Sequence, residues 1–257
     1  MNTVSDFGIN ALKTVETACE KHGSFTSRHI FGSVWTRCPA CNAEHMEKES
    51  AEKEQRQRQE KLERWRRKIG DSGIPERFQT RTLDSFVAEN EGQKSALAFA
   101  KDYAETFDDV MRSGRCAVFL GLPGTGKTHL AVGIGLHIMR HDNRSVLFTT
   151  VMRAIRRIRD TWSRKSDESE TEAISALTYP DLLILDEVGI QSGSESEKNQ
   201  LFDVLNERYE KHKPTLLLSN LTLPEVKAFL GERVFDRLKE DGGEVIPFSW
   251  KSHRGKE

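Results

Sequence analysis

Nowhere does the sequence run apolar for the roughly 20 residues a bilayer-spanning helix requires, so nothing in it reads as a membrane anchor. Met1-Asn2-Thr3-Val4-Ser5-Asp6 shows no basic segment leading into an apolar stretch, which argues against a secretory signal. Cysteine is scarce, with 4 in 257 residues. That is too few for a disulfide framework in a chain of this length, and without an export signal it points to a reducing compartment, by default the cytosol. Metal binding or burial is then the expected fate of the thiols. Charge of one sign is also missing: 39 Lys and Arg face 40 Asp and Glu, for a formal net charge of -1. Bulk attraction to nucleic acid is thereby excluded, and any such binding must come from a local basic patch. Neither an internal repeat nor a Pro/Gly-rich low-complexity segment is present. What remains is 36% hydrophobic and 31% charged residues, enough for a packed core under a highly charged surface. The length suits one medium domain with a small companion, or one large domain.

Composition shifts along the chain divide it into three expected parts. Residues 1–46 hold three of the four cysteines. Residues 47–73 begin with an almost wholly charged or Gln-rich stretch in which Glu49–Lys53, Glu52–Arg56, Glu60–Arg64 and Glu63–Arg67 stand four apart. That spacing predicts a solvated helix, broken by Gly70-Asp71-Ser72-Gly73-Ile74-Pro75. Residues 74–257 alternate short apolar runs with helical patterns. Cys116-Ala117-Val118-Phe119-Leu120, Ser145-Val146-Leu147-Phe148-Thr149-Thr150, Asp181-Leu182-Leu183-Ile184-Leu185-Asp186 and Pro214-Thr215-Leu216-Leu217-Leu218-Ser219-Asn220 read as strands buried on both faces. The fold class is therefore α/β, a parallel sheet covered by helices.

The chemistry concentrates after the first of these strands. Gly121-Leu122-Pro123-Gly124-Thr125-Gly126-Lys127-Thr128 matches G-x-x-x-x-G-K-[ST], with a strand before it and a helix after it, as that motif requires. Gly121, Gly124 and Gly126 let backbone N–H groups curl toward phosphate oxygens, with Pro123 and Thr125 completing the loop. Lys127 is placed to reach the β- and γ-phosphates of ATP, and Thr128 to put its hydroxyl on Mg²⁺. Asp186 and Glu187 end an apolar strand, where Asp186 suits Mg²⁺ and Glu187 suits a general base for the attacking water. Asn220 ends a later strand, either beside the γ-phosphate, orienting that water, or as a turn former. Arg233 and Arg237 lie four apart. They read either as arginines offered to a neighbouring subunit's phosphate or as a surface helix paired with acids.

Two further features stand outside the ATP motif. Cys19 and His22, then Cys38 and Cys41, form two pairs with two intervening residues each, the spacing of a closed tetrahedral Zn²⁺ site. His29 and His45 are alternative ligands. Phe25, Ile30, Phe31, Val34 and Trp35 between the pairs are expected to form a miniature core, and Pro39 to shape the second turn. From Val151 to Arg164 a helical pattern carries Met152, Ile155, Ile158 and Trp162 on one stripe and Arg153, Arg156, Arg157, Arg159 and Arg164 elsewhere, with Lys165 next. Such a helix reads either as a tracker of a single-stranded DNA backbone, with Arg153, Arg156 and Arg157 as its contacts, or as an ordinary exposed helix. Ser166 to Glu172 is expected to be an acidic loop.

On these residues a family resemblance rests. Residues 74–257 resemble the ATPase domain of DnaC-type helicase loaders, which is also similar to that of the transposase helper ATPases. The stretches that carry it are Ile74-Pro75-Glu76-Arg77-Phe78, the glycine loop, the basic helix, Leu185-Asp186-Glu187-Val188-Gly189-Ile190-Gln191, Leu218-Ser219-Asn220-Leu221, Leu230-Gly231-Glu232-Arg233-Val234-Phe235-Asp236-Arg237-Leu238, and Phe248-Ser249-Trp250-Lys251-Ser252-His253-Arg254. The resemblance implies an AAA+ fold and homo-oligomers with ATP at subunit interfaces. It implies single-stranded DNA along the basic helix, Asn220 as sensor, Arg237 as an arginine finger acting in trans with Arg233 nearby, and a hexameric replicative DNA helicase as partner. The cysteine cluster resembles the zinc-binding N-terminal domains of some loaders, which implies that residues 1–46 grip the helicase. A transposase-assisting ATPase, and a zinc-finger DNA-binding regulator with a structural nucleotide site, are the alternatives.

Overall fold

A computed structural model describes residues 13–163, 166–189 and 195–253. Residues 1–12, Arg164, Lys165, Ile190, Gln191 and Arg254, to which expectations are attached above, lie outside the described residues. The chain divides into two compact units, one ending at Trp65 and the other beginning at Arg66.

In the first unit, strands β1 (Thr14–Cys19), β2 (Gly23–Phe31) and β3 (Val34–Trp35) form an antiparallel meander. The helix α1 (Pro39–Asp71) follows. The miniature core does not form: Ile30, Phe31, Val34 and Trp35 are 56%, 69%, 42% and 37% exposed, and only Phe25 among the five is half-buried. Among the described residues no second apolar layer lies over this short three-stranded sheet to bury them, while the buried residues here, Ser27 and Cys38, are polar or thiol-bearing. Pro39 opens the helix rather than shaping a free turn. Its fixed φ and missing N–H suit the first helical position, so Cys41 is helical. The charged helix therefore starts before residue 47. It ends at Asp71, beyond which Gly73 takes a left-handed φ of 66°.

The second unit is an α/β sandwich. Helices α2 (Glu91–Glu105) and α3 (Phe107–Ser113) lead into β4 (Ala117–Gly121), α4 (Lys127–His141), β5 (Val146–Thr150), α5 (Val151–Asp160), α6 (Glu170–Thr178) and β6 (Leu182–Asp186). Then come α7 (Glu195–Glu210), β7 (Thr215–Ser219), α8 (Leu223–Leu230), α9 (Glu232–Lys239) and β8 (Glu244–Phe248). The sheet order is β5-β6-β7-β4-β8, and every pairing is parallel. Leu182 to Leu185 and Leu216 to Leu218 are fully buried, as unbroken apolar strands covered on both faces must be. Leu183, Leu185 and Leu217 pack toward Ile155, Ile158, Leu201 and Leu205 in one core cluster.

Two elements depart from the sequence reading. The acidic segment at Ser166 to Glu172 is a loop only as far as Ser169. Ser169 accepts from the Glu172 N–H at 3.2 Å, the Glu172 carboxylate accepts from the Ser169 N–H at 2.8 Å, and this capping box starts α6 at Glu170. The edge strand β8 escapes notice in the sequence because Pro247 interrupts its apolar pattern. An edge position tolerates a residue that cannot donate on one side. Among the described residues no helix is long and apolar enough to cross a membrane.

Candidate nucleotide and metal sites

Parallel strands deliver their C-terminal ends to one edge of the sheet, where the functional side chains of β4, β6 and β7 meet. The glycine loop leaves β4 and turns directly into α4. Gly126 holds φ at 98°, and a Cβ there would sit 2.7 Å from the Phe86 ring, so both the backbone and the packing require glycine. His129, one turn into α4, pins the segment that carries Phe86. Its Nε2 lies 3.0 Å from the Thr82 carbonyl oxygen and 3.1 Å from Ser85 Oγ, and its ring meets Phe86 edge-on at 5.2 Å. Burial pushes the His129 pKa below the usual imidazole range, so this brace is neutral at physiological pH.

The loop is also strapped from the C-terminal side. Trp250 Nε1 donates to the Thr125 carbonyl at 2.9 Å, and the His253 N–H donates to the Gly124 carbonyl at 3.0 Å. Gln93 bridges from α2. Its Oε1 accepts from the Glu89 and Asn90 N–H groups at 2.6 and 3.1 Å, and its amide nitrogen lies 2.7 Å from His253 Nε2.

The sequence-predicted residues of the ATP motif converge. Lys127 Nζ donates to the Gly121 and Leu122 carbonyls at 2.6 and 3.0 Å and to Asn220 Oδ1 at 2.8 Å. Thr128 Oγ1 donates to Asp186 Oδ2 at 2.9 Å. The other Asp186 oxygen accepts from the Glu187 N–H at 2.8 Å. Glu187 is exposed and holds a left-handed φ of 62°, a conformation a non-glycine residue keeps only when its surroundings impose it. The restraint is visible in the next residue: the Val188 N–H donates to the Leu218 carbonyl at 2.9 Å, and Ser219 Oγ donates to the Val188 carbonyl at 2.6 Å. Thr128 and Asp186 offer hard oxygens for a divalent cation, and Lys127 with the loop N–H groups offers charge and donors for phosphates.

Lys127, Thr128, Asp186, Glu187 and Asn220 line a cleft of about 480 Å³ with Arg77, Phe78, Arg81, Phe86, His129 and His253. The last six escaped residue-by-residue reading. The only signal for Arg77 and Phe78 was their place in Ile74-Pro75-Glu76-Arg77-Phe78, and for His253 its place in Phe248-Ser249-Trp250-Lys251-Ser252-His253-Arg254; nothing local marks Arg81, Phe86 and His129 as cleft residues. A second cleft of about 360 Å³ joins Asp186 and Glu187 to Arg77, Arg153 and Arg156.

The basic helix α5 turns Val151, Ala154, Ile155 and Ile158 inward. Met152 is half-buried and Trp162 is 56% exposed, so the buried stripe is shorter than the periodicity suggests. Arg153 and Arg156 are exposed, and no acid pairs with them among the described residues. Arg157 is committed elsewhere, with Nε at 3.1 Å and Nη2 at 2.6 Å from Glu168 Oε1. Arg233 is exposed on α9. Arg237 is half-buried, donates to Asn206 Oδ1 and stacks 5.0 Å over the Tyr209 ring. Neither lines the Lys127 cleft.

In the first unit Cys19, His22, Cys38 and Cys41 come together, their ligand atoms all within 4.8 Å of one another. Cys19 Sγ lies 3.4 Å from Cys41 Sγ, and His22 Nδ1 lies 3.2 Å from Cys41 Sγ and 3.8 Å from Cys38 Sγ. A tetrahedral Zn²⁺ with bonds of about 2.3 Å to sulfur separates its ligands by roughly 3.8 Å, so this donor set fits. His29 instead meets the Gly32 carbonyl at 2.7 Å, and His45 the Glu49 carboxylate at 3.5 Å.

Comparison with known proteins follows the same outline. Residues 92–256 match the family described as "IstB-like ATP binding protein". The chain is 34% identical over 200 residues to the "Replicative helicase loader DnaC" of Escherichia coli K12, covering 78% of this chain and 80% of that one. It is 35% identical over 197 residues to the protein of the same name from Buchnera aphidicola subsp. Acyrthosiphon pisum, covering 77% and 78%. Among solved structures, a DnaC helicase loader superposes with a TM-score of 0.61 at 24% identity, over 67% of this chain and 99% of that one. DnaI superposes with a TM-score of 0.57 at 20% identity, over 68% and 94%. These two show the shared fold.

Proposed function

Since the chain belongs to the IstB/DnaC-like family of AAA+ ATP-binding proteins, we propose that it is a helicase loader: an ATP-dependent switch that delivers a hexameric replicative DNA helicase onto single-stranded DNA in the cytoplasm. Two observations carry the reading. The similarity to the helicase loader of Escherichia coli spans 78% of this chain, and the residues it would use for ATP all meet at one sheet edge.

The chemistry follows from that edge. Mg²⁺ with ATP supplies charge neutralisation across the β- and γ-phosphates when bound. Lys127 exchanges its carbonyl and Asn220 contacts for phosphate oxygens, which are stronger acceptors for an ammonium. That exchange frees Asn220 to orient a water. Thr128 and Asp186, already hydrogen-bonded, hold the cation position. Glu187, held in a left-handed backbone conformation and lining the cleft, takes the proton of the attacking water. Arg237, and Arg233 beside it, act on a neighbour's nucleotide in a homo-oligomer. Their position outside their own subunit's cleft supports a role in trans.

Arg153 and Arg156 are the DNA-contacting arginines of α5. Arg157 contributes less, because its fork is occupied by Glu168. Residues 1–46, organised by zinc on Cys19, His22, Cys38 and Cys41, grip the helicase, residues 47–73 act as the helical linker, and residues 74–257 form the ATPase domain. The decisive experiment is co-purification of the full chain with replicative helicases, with and without ATP. Wild type should retain a helicase, Cys38→Ser should lose it while still binding ATP, and Lys127→Ala should fail to load it onto single-stranded DNA. Retention of the helicase by Cys38→Ser would remove the zinc unit from this role, and no retention by wild type would remove the loader reading itself.

A further inference from the structure

The zinc ligands do not stand alone. His22 turns Nδ1 toward the three sulfurs, at 3.2 Å from Cys41 and 3.8 Å from both Cys19 and Cys38. Its other ring nitrogen, Nε2, lies 3.0 Å from Glu44 Oε1. The second Glu44 oxygen accepts from Lys21 Nζ at 2.5 Å. Glu44 is three residues beyond Cys41 on α1, one turn along the same face, so the helix that presents a sulfur ligand also presents the carboxylate. Lys21 and His22 sit in the turn between β1 and β2, next to the ligand Cys19. A single carboxylate thus joins the knuckle to the helix at two points.

Nothing about the cysteine and histidine spacing in the sequence marks Glu44. An imidazole can ligate through either nitrogen, and the choice is set by the hydrogen bond the other nitrogen makes. A carboxylate on Nε2 keeps the proton there, leaves the Nδ1 lone pair for the metal, stops rotation of the ring and raises its basicity. The charge balance agrees. Three thiolates and a neutral imidazole around Zn²⁺ carry one net negative charge, to which a bare carboxylate would add a second. Lys21 offsets that addition.

On the reading of these four residues as a zinc site, we infer that Glu44 is the positioning residue of the site. It acts through His22 Nε2, selects Nδ1 as the ligating nitrogen, and is held in place by Lys21. As an exposed ion pair alone, Lys21–Glu44 would matter little. Its importance lies in what Glu44 does to a ligand.

The test is zinc affinity of the full chain, measured by competition with a chromophoric chelator, alongside metal content. Glu44→Ala should weaken zinc binding by about 10- to 100-fold, and Lys21→Met should weaken it less. Glu44→Ala in a His22→Cys background, where the ligand has no second nitrogen, should have no effect, since four thiolates also make a complete site. Imidazole nitrogen chemical shifts should report Nδ1 ligation in wild type and a loss of tautomer selection in Glu44→Ala. Should Glu44→Ala fail to fold, Glu44→Gln carries the same cycle with a smaller expected loss. Wild-type affinity in Glu44→Ala, or an equal loss in the His22→Cys background, would overturn the role assigned to Glu44. A wild-type chain that takes up no zinc would instead overturn the metal site, and the inference with it.

Discussion

Arg208 offers the most quantitative test of how the α/β unit is held together. It is fully buried on α7, and every one of its donors is used. Nε donates to Thr215 Oγ1 at 3.0 Å. Nη1 donates to the carbonyls of Leu177, Thr178 and Pro180 at 3.1, 3.2 and 2.9 Å, and Nη2 to those of Asp181 and Pro214 at 3.4 and 2.6 Å. The guanidinium therefore staples the end of α6 to the starts of β6 and β7. Burial pushes its pKa down to about 10, which still leaves it protonated at neutral pH. Arg208→Met keeps much of the volume and removes every donor, taking the guanidinium away from the carbonyls of Leu177, Thr178, Pro180 and Asp181 and leaving Pro214 only the Leu183 N–H at 3.4 Å. Each buried acceptor left unsatisfied costs roughly 1–3 kcal/mol, so the set together should cost at least about 3–5 kcal/mol. In a unit of this size each kcal/mol shifts Tm by about 2–4 °C, so the melting temperature should fall by on the order of 10 °C. Arg208→Lys, with the charge but not the planar fork, should recover only part of that. The strands run about 3.3 Å per residue away from Arg208 before reaching Asp186 and Asn220, so ATP affinity below the transition should stay within about twofold of wild type. Thermal unfolding followed by circular dichroism, with nucleotide titration at 20 °C, measures both. A drop in Tm of less than about 3 °C would refute the view that these hydrogen bonds hold the sheet, since it would mean water replaces the guanidinium at little cost.

Three other outcomes are expected. Glu187→Gln should bind ATP like wild type yet hydrolyse it at least about 100-fold more slowly in a DNA-stimulated phosphate-release assay, because the site keeps its shape and loses its base; normal turnover would exclude Glu187 as the base. Arg153→Ala and Arg156→Ala should each weaken single-stranded DNA binding and lower the salt slope of log affinity by about 0.7, whereas Arg157→Ala, whose fork is already held by Glu168, should change it less. Equal slopes for all three would remove the distinction. Arg237→Ala should retain ATP binding but lose hydrolysis, and mixing it with Lys127→Ala should restore part of the activity, since each supplies what the other lacks at a shared interface; no recovery on mixing would count against action in trans.

Legibility differed sharply between elements. The central strands were plain because Leu182 to Leu185 and Leu216 to Leu218 are apolar without a break, which only two-sided burial explains. The glycine loop and the acidic pair were plain because phosphate cradling and cation binding demand particular residue types at fixed spacing. The convergence of Cys19, His22, Cys38 and Cys41 was foreshadowed by their paired spacing for the same reason. The miniature core was not, because five apolar residues on a short sheet imply burial only if a second layer exists, and among the described residues none covers Ile30, Phe31, Val34 and Trp35. Strand β8 was hidden by Pro247, and the start of α6 by its acidic setting, although Ser169 and Glu172 carried the capping signature.

By itself the sequence determined the covalent vocabulary of the site: a lysine and a hydroxyl after a glycine loop, an acidic pair after an apolar strand, two ligand pairs for a metal. These are local patterns, set by what a phosphate, a divalent cation or a tetrahedral zinc requires of its neighbours. Only the tertiary structure decided which distant residues complete them. Gln93 and His253 meet over the loop across 160 positions of chain, and Glu44 meets His22 across 22. Arg157 is diverted to Glu168, while Arg153 and Arg156 remain beside Glu187. Such partners are chosen by packing and register, which no spacing along the chain encodes. The first motif met in the sequence is therefore also the one whose packing partners, Phe86 and Trp250, had to be read from the fold.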